Sequence, residues 1–183
     1  AADAWLDQGV DRTIGKRPPL GFHDPFVIGA HIAQGNPGAL ATDGAAAKEA
    51  GLAVKINMVA LKGVNDDEIV PMLRWCGEQG FDLALIETMP LGMIDEDRTD
   101  RFYPLTAARA QIESAFPLIP SVHRTGGPAR YWEVPELGVR LGLISPLTQN
   151  FCEGCNRIRV SASGKLYMCL GHDDHVDLLG ALR

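Results

Sequence analysis

The sequence lacks an apolar run long enough to cross a membrane, which takes about 18 consecutive residues. The first residues contain acidic groups where a secretory signal peptide would have an apolar centre. The sequence also lacks a basic excess, because its formal net charge is −6, and sequence-independent binding to nucleic acid needs an extended basic surface. We therefore expect a cytoplasmic protein that binds neither a membrane nor nucleic acid.

A disulfide framework and internal repeats are absent as well. Of the four cysteines, Cys152, Cys155 and Cys169 lie close together in the sequence and Cys76 lies far from them. This is a poor arrangement for disulfide pairing, and it favours a metal or iron–sulfur site in a reducing compartment. With 183 residues, 46% of them hydrophobic and 22% charged, the chain can bury one core.

A helix is predicted after Asn65, which can cap its start. Apolar residues recur at helical spacing from Ile69 to Cys76, so Cys76 is expected in the core rather than in a site. The helix is expected to end near Gly77 or Gly80, because glycine commonly follows the last turn.

Strands are predicted on both sides of this helix, over residues 53–61 and 81–89, and a second helix over 106–116. In the first strand Val54, Ile56 and Met58 alternate with their neighbours and share one face. The inward-facing residues of the second helix are expected to be Ala108, Ile112 and Ala115. Strands that alternate with helices imply parallel strands joined by right-handed crossovers. The predicted fold class is therefore α/β, either an open sheet or part of a β/α barrel.

Polar residues interrupt the two predicted strands at Lys55, Asn57 and Glu87. Such residues are unusual inside a packed parallel sheet, and they suggest a cavity that both strands line. Pairing among these groups, or a position at a sheet edge, explains them equally well.

Three regions are predicted along the chain. Residues 1–44 show no sustained hydrophobic period and are assigned no fold, whereas residues 45–120 contain the βα units and begin with a helical stretch over 45–50. The helical period fades after residue 120, so residues 121–183 are expected to form a separate C-terminal region.

Three cysteines in the C-terminal region form a predicted metal-binding motif. Two residues separate Cys152 from Cys155, which lets both thiolates bind one metal centre. A hairpin that turns at Ser163 and Gly164 would return Cys169 to the same point. Three thiolates on a [4Fe–4S] cluster leave one iron open to a substrate or cofactor atom.

Structural zinc is the competing interpretation, because His172 completes a Cys-x2-Cys…Cys-x2-His set. On spacing alone, zinc and the cluster have equal weight. Arg157 and Arg159 favour the cluster, because two guanidinium groups suit an oxyanion such as phosphate and a structural zinc site does not need them. Away from the cysteines, the same arginines would indicate only a solvated strand face.

These motifs resemble the GTP 3′,8-cyclase family of molybdenum-cofactor biosynthesis, whose members are radical S-adenosylmethionine enzymes. The resemblance covers residues 45–183. It rests on VKINMVALKGVNDDEI at 54–69, LIETMPLG at 85–92, GPARYW at 127–132 and, most specifically, ISPLTQNFCEGCNRIRVSASGKLYMCL at 144–170.

The resemblance implies part of a radical S-adenosylmethionine (β/α) barrel, followed by a C-terminal extension that holds an auxiliary [4Fe–4S] cluster. In that family GTP is converted to 3′,8-cyclo-7,8-dihydro-GTP after a 5′-deoxyadenosyl radical removes the 3′-hydrogen, and the full-length protein is expected to form a homodimer. The implied residues are Cys152, Cys155 and Cys169 for the cluster, Lys55, Arg157, Ile158 and Arg159 for GTP, and Met89 for S-adenosylmethionine.

The family's first cluster motif, Cys-x3-Cys-x2-Cys, does not occur among these 183 residues. S-adenosylmethionine and a second [4Fe–4S] cluster are therefore expected of the full-length family. We expect this chain to be a C-terminal fragment, from a truncated or frame-shifted gene model, that is inactive alone. The alternatives are a structural zinc-binding module without catalysis and a partial barrel that does not fold stably.

Overall fold

A computed structural model describes residues 26–29, 37–89, 101–155, 157–169 and 174–182. Nine strands and four helices occur within these ranges. The strands are β1 (Phe26–Gly29), β2 (Val54–Ala60), β3 (Asp82–Glu87), β4 (Ile119–Pro120), β5 (Arg130–Val134), β6 (Val139–Ile144), β7 (Arg159–Val160), β8 (Lys165–Tyr167) and β9 (His175–Asp177). The helices are α1 (Pro37–Glu49), α2 (Ile69–Gln79), α3 (Leu105–Glu113) and α4 (Leu178–Ala181).

One six-stranded sheet organises most of the described chain, with the strand order β1-β2-β3-β6-β5-β4. The first four strands in this order are parallel, whereas β5 and β4 are antiparallel to their neighbours. The α/β prediction is confirmed. Because β3 pairs directly with β6, the sheet contains strands from both sides of residue 120.

The hydrophobic core lies on one face of this sheet. Every second residue of β2 from Val54 is buried, which confirms the alternation predicted from the sequence. The helices α2 and α3 cover this face through apolar residues spaced by three or four positions. These buried helix residues are Ile69, Leu73 and Cys76 from α2 and Leu105, Ala108 and Ile112 from α3.

The start of α2 differs from the sequence prediction, because Glu68 rather than Asn65 is the N-cap. The Asn65 side chain instead accepts a hydrogen bond from the Leu61 N–H at 2.8 Å and donates one to the Val59 carbonyl at 2.9 Å. Asn65 therefore closes the turn after β2, because buried backbone groups at the end of a strand need partners too. The helix ends as predicted at Gly80, which has a φ of 70°.

Two further predictions about helices agree with the structure only in part. Ala115 is exposed rather than buried, because α3 ends at Glu113 and the chain turns Phe116 inward instead. The helix predicted over 45–50 begins at Pro37. The region that was assigned no fold thus contains β1 and the start of α1, whose few large apolar residues give no visible period.

A second sheet, with the order β7-β8-β9, follows the six-stranded sheet along the chain. The predicted hairpin is confirmed in shorter form, because Arg159 pairs with Tyr167 and Val160 with Leu166. Gly164 makes the turn at a φ of 74°. Among the helices of the described ranges, none is long and apolar enough to cross a membrane.

Candidate functional site

The polar residues of β2 and β3 lie on two different faces of the sheet. The register pairs Ala60 with Glu87, and both residues face the helices and the core. Lys55 and Asn57 alternate with the buried residues of β2 and therefore lie on the opposite face. The prediction that all three polar residues line one cavity is wrong, because a parallel register fixes the face of each residue.

Lys55 contacts a tyrosine from a distant strand. The Lys55 Nζ lies 3.3 Å from the Tyr131 Oη, and Tyr131 is buried with 4% of its surface exposed. The register places Tyr131 beside Gly142, and Gly142 beside Ala84. Gly142 leaves room for the aromatic ring, because a Cβ built on this residue would lie 3.0 Å from the Tyr131 Cε1.

Polar groups continue along this face around His123. The His123 ring meets the Tyr131 ring edge to face, with centroids 4.7 Å apart, and its Nδ1 lies 2.8 Å from an Arg140 guanidinium nitrogen. Arg140 forms an ion pair with Asp82 at 2.7 Å. The face opposite to the core thus carries a set of cationic and hydrogen-bonding groups.

Asn57 has an unsatisfied acceptor on the same face. Its side-chain Oδ1 is buried and has no hydrogen-bond partner within the part of the chain that the structure describes. An unpaired buried carbonyl oxygen costs free energy, and a water molecule or a bound polar group would supply the missing donor.

Glu87 anchors the segment that precedes the cysteines. Its side chain is 1% exposed. One carboxylate oxygen accepts hydrogen bonds from the backbone N–H groups of Leu147 and Thr148, each at 3.0 Å. The other accepts from the Thr148 hydroxyl at 2.8 Å and from the N–H of Leu105 at 3.4 Å. Both oxygens of this buried carboxylate are therefore satisfied.

A 3₁₀ turn at Cys152–Gly154 presents the first two cysteines. The Cys152 N–H donates to the Asn150 side chain at 2.6 Å, and the Cys155 N–H donates to the Cys152 carbonyl at 3.1 Å. Both cysteines are exposed. The turn thus leaves two thiols accessible on one short loop.

Arg157 lowers the pKa of the second cysteine, Cys155. Hydrogen bonds from its backbone and its side chain lower the pKa of the Cys155 thiol, and the Arg157 and Arg159 charges act in the same direction. The Arg157 guanidinium also lies 5.2 Å from the centroid of the Phe151 ring. The thiolate is the form that binds metals, so this arrangement suits Cys155 to be a ligand.

Cys169 follows β8 at the same end of the hairpin where the segment from Cys155 enters β7. This follows from the pairing of Arg159 with Tyr167, because Cys155 lies shortly before the first residue and Cys169 shortly after the second. The donor set of three thiols fits an iron–sulfur cluster in its chemistry. Within the described ranges, however, no three Cys, His, Asp or Glu side chains are close enough to hold a metal ion. The ligand set thus stays a prediction.

The other predicted site residues fall in three separate places: the consecutive residues Arg157, Ile158 and Arg159, then Lys55, and then Met89. Ile158 is 63% exposed and Arg159 begins β7, whereas Arg157 precedes the strand. Lys55 lies near the start of β2, and the partly buried Met89 follows the end of β3, so these two residues lie toward opposite ends of adjacent parallel strands. His172, on which the zinc interpretation depends, lies outside the described residues.

Sequence reasoning gave no role to Tyr131 and did not identify the partners of Glu87. Tyr131 occurs in the quoted segment GPARYW, but only the cross-strand register reveals that it contacts Lys55. The signal for Glu87 was present, because a lone carboxylate in an apolar strand needs several donors. The sequence could not show that these donors come from residues 105, 147 and 148.

A family profile and several individual proteins match this chain. The profile of the family described as Molybdenum Cofactor Synthesis C matches residues 81–183. A protein named GTP 3′,8-cyclase from Erythrobacter litoralis (strain HTCC2594) is 60% identical over 139 residues, which cover 76% of this chain and 42% of that protein.

A second protein named GTP 3′,8-cyclase, from Rhizobium meliloti (strain 1021), is 59% identical over 138 residues, which cover 75% of this chain and 40% of the relative. A third, from Agrobacterium fabrum (strain C58 / ATCC 33970), is 56% identical over 138 residues, with the same coverage. The chain thus spans about two fifths of the length of these relatives.

Proposed function

Because the chain belongs to the Molybdenum Cofactor Synthesis C family, we propose that it provides the GTP-binding and auxiliary-cluster half of a GTP 3′,8-cyclase. The whole enzyme would convert GTP to 3′,8-cyclo-7,8-dihydro-GTP by radical S-adenosylmethionine chemistry. In this proposal the 183 residues bind GTP, and the cleavage of S-adenosylmethionine needs the Cys-x3-Cys-x2-Cys motif that they do not contain.

The observation that carries the proposal is the position of Arg157 beside Cys155. Arg157 lowers the pKa of the Cys155 thiol, and its guanidinium lies over the ring of Phe151, the residue before Cys152. A cation is thus held beside the turn that carries the first two cysteines. A planar guanidinium suits the phosphate oxygens of a nucleotide, because it can donate two parallel hydrogen bonds to them.

Cys152, Cys155 and Cys169 would hold the auxiliary [4Fe–4S] cluster, whose open iron would supply a binding position for the purine of GTP. The lowered pKa of Cys155 favours ligand binding, because less free energy is needed to remove its proton at neutral pH. Arg157, Ile158 and Arg159 would orient the nucleotide next to the cysteines. Binding of this kind would hold the ribose and the purine of GTP in one relative orientation, which lowers the entropic cost of the reaction between them.

Lys55 would add a cation from the main sheet, and the Tyr131 hydroxyl would hold its ammonium in place at 3.3 Å. The unsatisfied Asn57 Oδ1 on the same face supports binding of a polar molecule there. Met89, at the end of β3, would contact S-adenosylmethionine in the whole enzyme.

The test is anaerobic reconstitution of the 183-residue chain with iron and sulfide, followed by iron and sulfide analysis and a GTP-binding titration. We expect iron and sulfide in the ratio of a [4Fe–4S] cluster and no cleavage of S-adenosylmethionine. Arg157→Ala should weaken GTP binding at least about ten-fold, because a hydrogen bond to a charged group is lost.

Arg74→Ala is the matched control, because Arg74 also lies over a phenylalanine, 5.0 Å from the centroid of the Phe116 ring, but belongs to α2. GTP affinity should stay unchanged in this variant. Zinc at one ion per chain without iron or sulfide, both before and after reconstitution, would instead favour a structural zinc module and contradict the proposal.

A further inference from the structure

The Glu87 carboxylate connects three parts of the chain that are distant in sequence. It lies at the carboxyl end of β3 and contacts both the first residue of α3, Leu105, and the loop after β6 at Leu147 and Thr148. That loop continues directly into the turn that carries Cys152. Through this loop alone, the carboxylate can affect the position at which the cysteine turn begins.

All of the described hydrogen-bond partners of Glu87 are donors. They are three backbone N–H groups and one hydroxyl, with the shortest contact at 2.8 Å to Thr148 Oγ1. A carboxylate can accept at both oxygens, whereas an amide would direct N–H groups at some of these donors. The site therefore selects a carboxylate in particular, and hydrogen bonds to a charged acceptor are the stronger kind.

The stability of the fold does not by itself require a carboxylate at the end of β3. An apolar residue at the end of β3 would pack against the same core without leaving a carboxylate to be satisfied. Leu147 and Thr148 are exposed, so their backbone N–H groups could bind water without the carboxylate. The carboxylate instead draws this exposed loop against the buried end of β3, and it does so a few residues before the thiols.

We propose that Glu87 is a positioning residue that fixes the loop at Leu147 and Thr148 and thereby holds the Cys152–Cys155 turn in the place where it can bind a metal centre. The proposal rests on the proposed function in taking these cysteines as ligands. It adds that their metal affinity depends on a carboxylate from the main sheet, which contacts neither the metal nor the substrate.

The test titrates the reduced, metal-free 183-residue chain with Co²⁺ as a probe of the thiol site. The thiolate-to-cobalt charge-transfer absorption measures the binding. We expect Glu87→Gln to lower the Co²⁺ affinity about ten-fold, as changes in groups that orient metal ligands commonly do. The absorption spectrum at saturation should also shift if the thiols are held differently, which a loss of stability alone would not produce.

Asp82→Asn is the matched control, because Asp82 is a second carboxylate of β3 and also accepts from β6, through the Arg140 N–H at 2.9 Å and its side chain at 3.0 Å. This variant should lose stability in urea but keep the Co²⁺ affinity of the wild type. If Glu87→Gln fails to fold, Thr148→Val decides, because it removes one contact from the loop side and should lower the affinity by a smaller factor.

The outcomes separate this proposal from the proposed function. Equal Co²⁺ affinities in wild type, Glu87→Gln and Thr148→Val would overturn the role of Glu87, and so would the absence of any cobalt–thiolate absorption in the wild type. A wild type that binds Co²⁺ but takes up no iron and sulfide would overturn the cluster instead. The Glu87 comparison would then still decide whether the carboxylate positions the thiols.

Discussion

The Tyr131 hydroxyl lies 3.3 Å from the Lys55 ammonium, although 76 positions separate the two residues in the sequence. Tyr131 belongs to the antiparallel strand β5 and Lys55 to the parallel strand β2. The strands β3 and β6 lie between them, and Gly142 of β6 leaves room for the ring beside it. A predicted GTP contact in the βα units is thus held by a residue from the C-terminal region.

Removal of the Tyr131 hydroxyl should weaken GTP binding without unfolding the protein. Tyr131→Phe keeps the ring and deletes the acceptor for the Lys55 ammonium, so we expect roughly a five-fold loss of GTP affinity, equivalent to about 1 kcal/mol. Titration with GTP measures it. Thr125→Val is the control, because it removes the Thr125 hydroxyl, 3.5 Å from the Tyr131 Oη, and leaves the contact with Lys55 in place. Equal affinities for Tyr131→Phe and the wild type would contradict the prediction.

A methyl group on Gly142 should destabilise the sheet. The Cβ of Gly142→Ala would lie 3.0 Å from the Tyr131 Cε1 and 3.5 Å from the Ala84 Cβ, and overpacking of this kind costs about 1–3 kcal/mol. Urea unfolding measures the change. In Gly127→Ala, the nearest atom to the new Cβ would be the Thr125 Oγ1 at 3.7 Å, so its unfolding free energy should change little. Similar losses in both variants would contradict the packing argument.

The reduced, metal-free chain should react with iodoacetamide first at Cys155 and last at Cys76. Hydrogen bonds from Arg157 lower the pKa of Cys155, so its thiolate is present at a lower pH than that of an ordinary cysteine. Burial, with a smaller contribution from Asp82, raises the pKa of Cys76 to about 12, so this residue stays a thiol at neutral pH. Mass spectrometry between pH 6 and pH 9 would rank the sites.

Arg157→Ala provides the control for this ranking, because it removes the side-chain hydrogen bond and the charge next to Cys155. The alkylation rate of Cys155 at pH 7 should fall in this variant, since its pKa returns toward that of an ordinary thiol, and the rate of Cys76 should not change. A Cys155 rate that is the same in both proteins would show that the Arg157 side chain does not stabilise the thiolate, because the backbone hydrogen bond from residue 157 is kept in the variant.

Truncation of a core leucine should have a far larger effect than truncation of a leucine in the loop. Leu141 in β6 is fully buried, so Leu141→Ala should lower the unfolding free energy by about 2–5 kcal/mol. Leu147 is 48% exposed, and Leu147→Ala retains the backbone N–H that binds Glu87, so a change of only about 0.5 kcal/mol is expected. Denaturant titration of both variants tests the position of the core.

Much of the fold could be predicted because its signals are local. The alternation in β2 and the helical stripe from Ile69 to Cys76 both appear in the structure where the sequence predicts them. The prediction for Asn65 was wrong because two hydrogen bonds to the preceding turn compete with a cap, and sequence spacing does not rank such alternatives. The strand β1 and the start of α1 escaped prediction because their period is weak.

The sequence by itself determined the α/β class and the three-cysteine motif with Arg157 and Arg159 beside it, because both depend on the spacing of neighbouring residues. Only the tertiary structure decided the surroundings of Lys55 and Glu87. The parallel register sends these two polar residues to opposite faces of the sheet, one toward Tyr131 and the other toward Thr148. Contacts between distant strands and loops depend on register and packing, which local spacing does not contain.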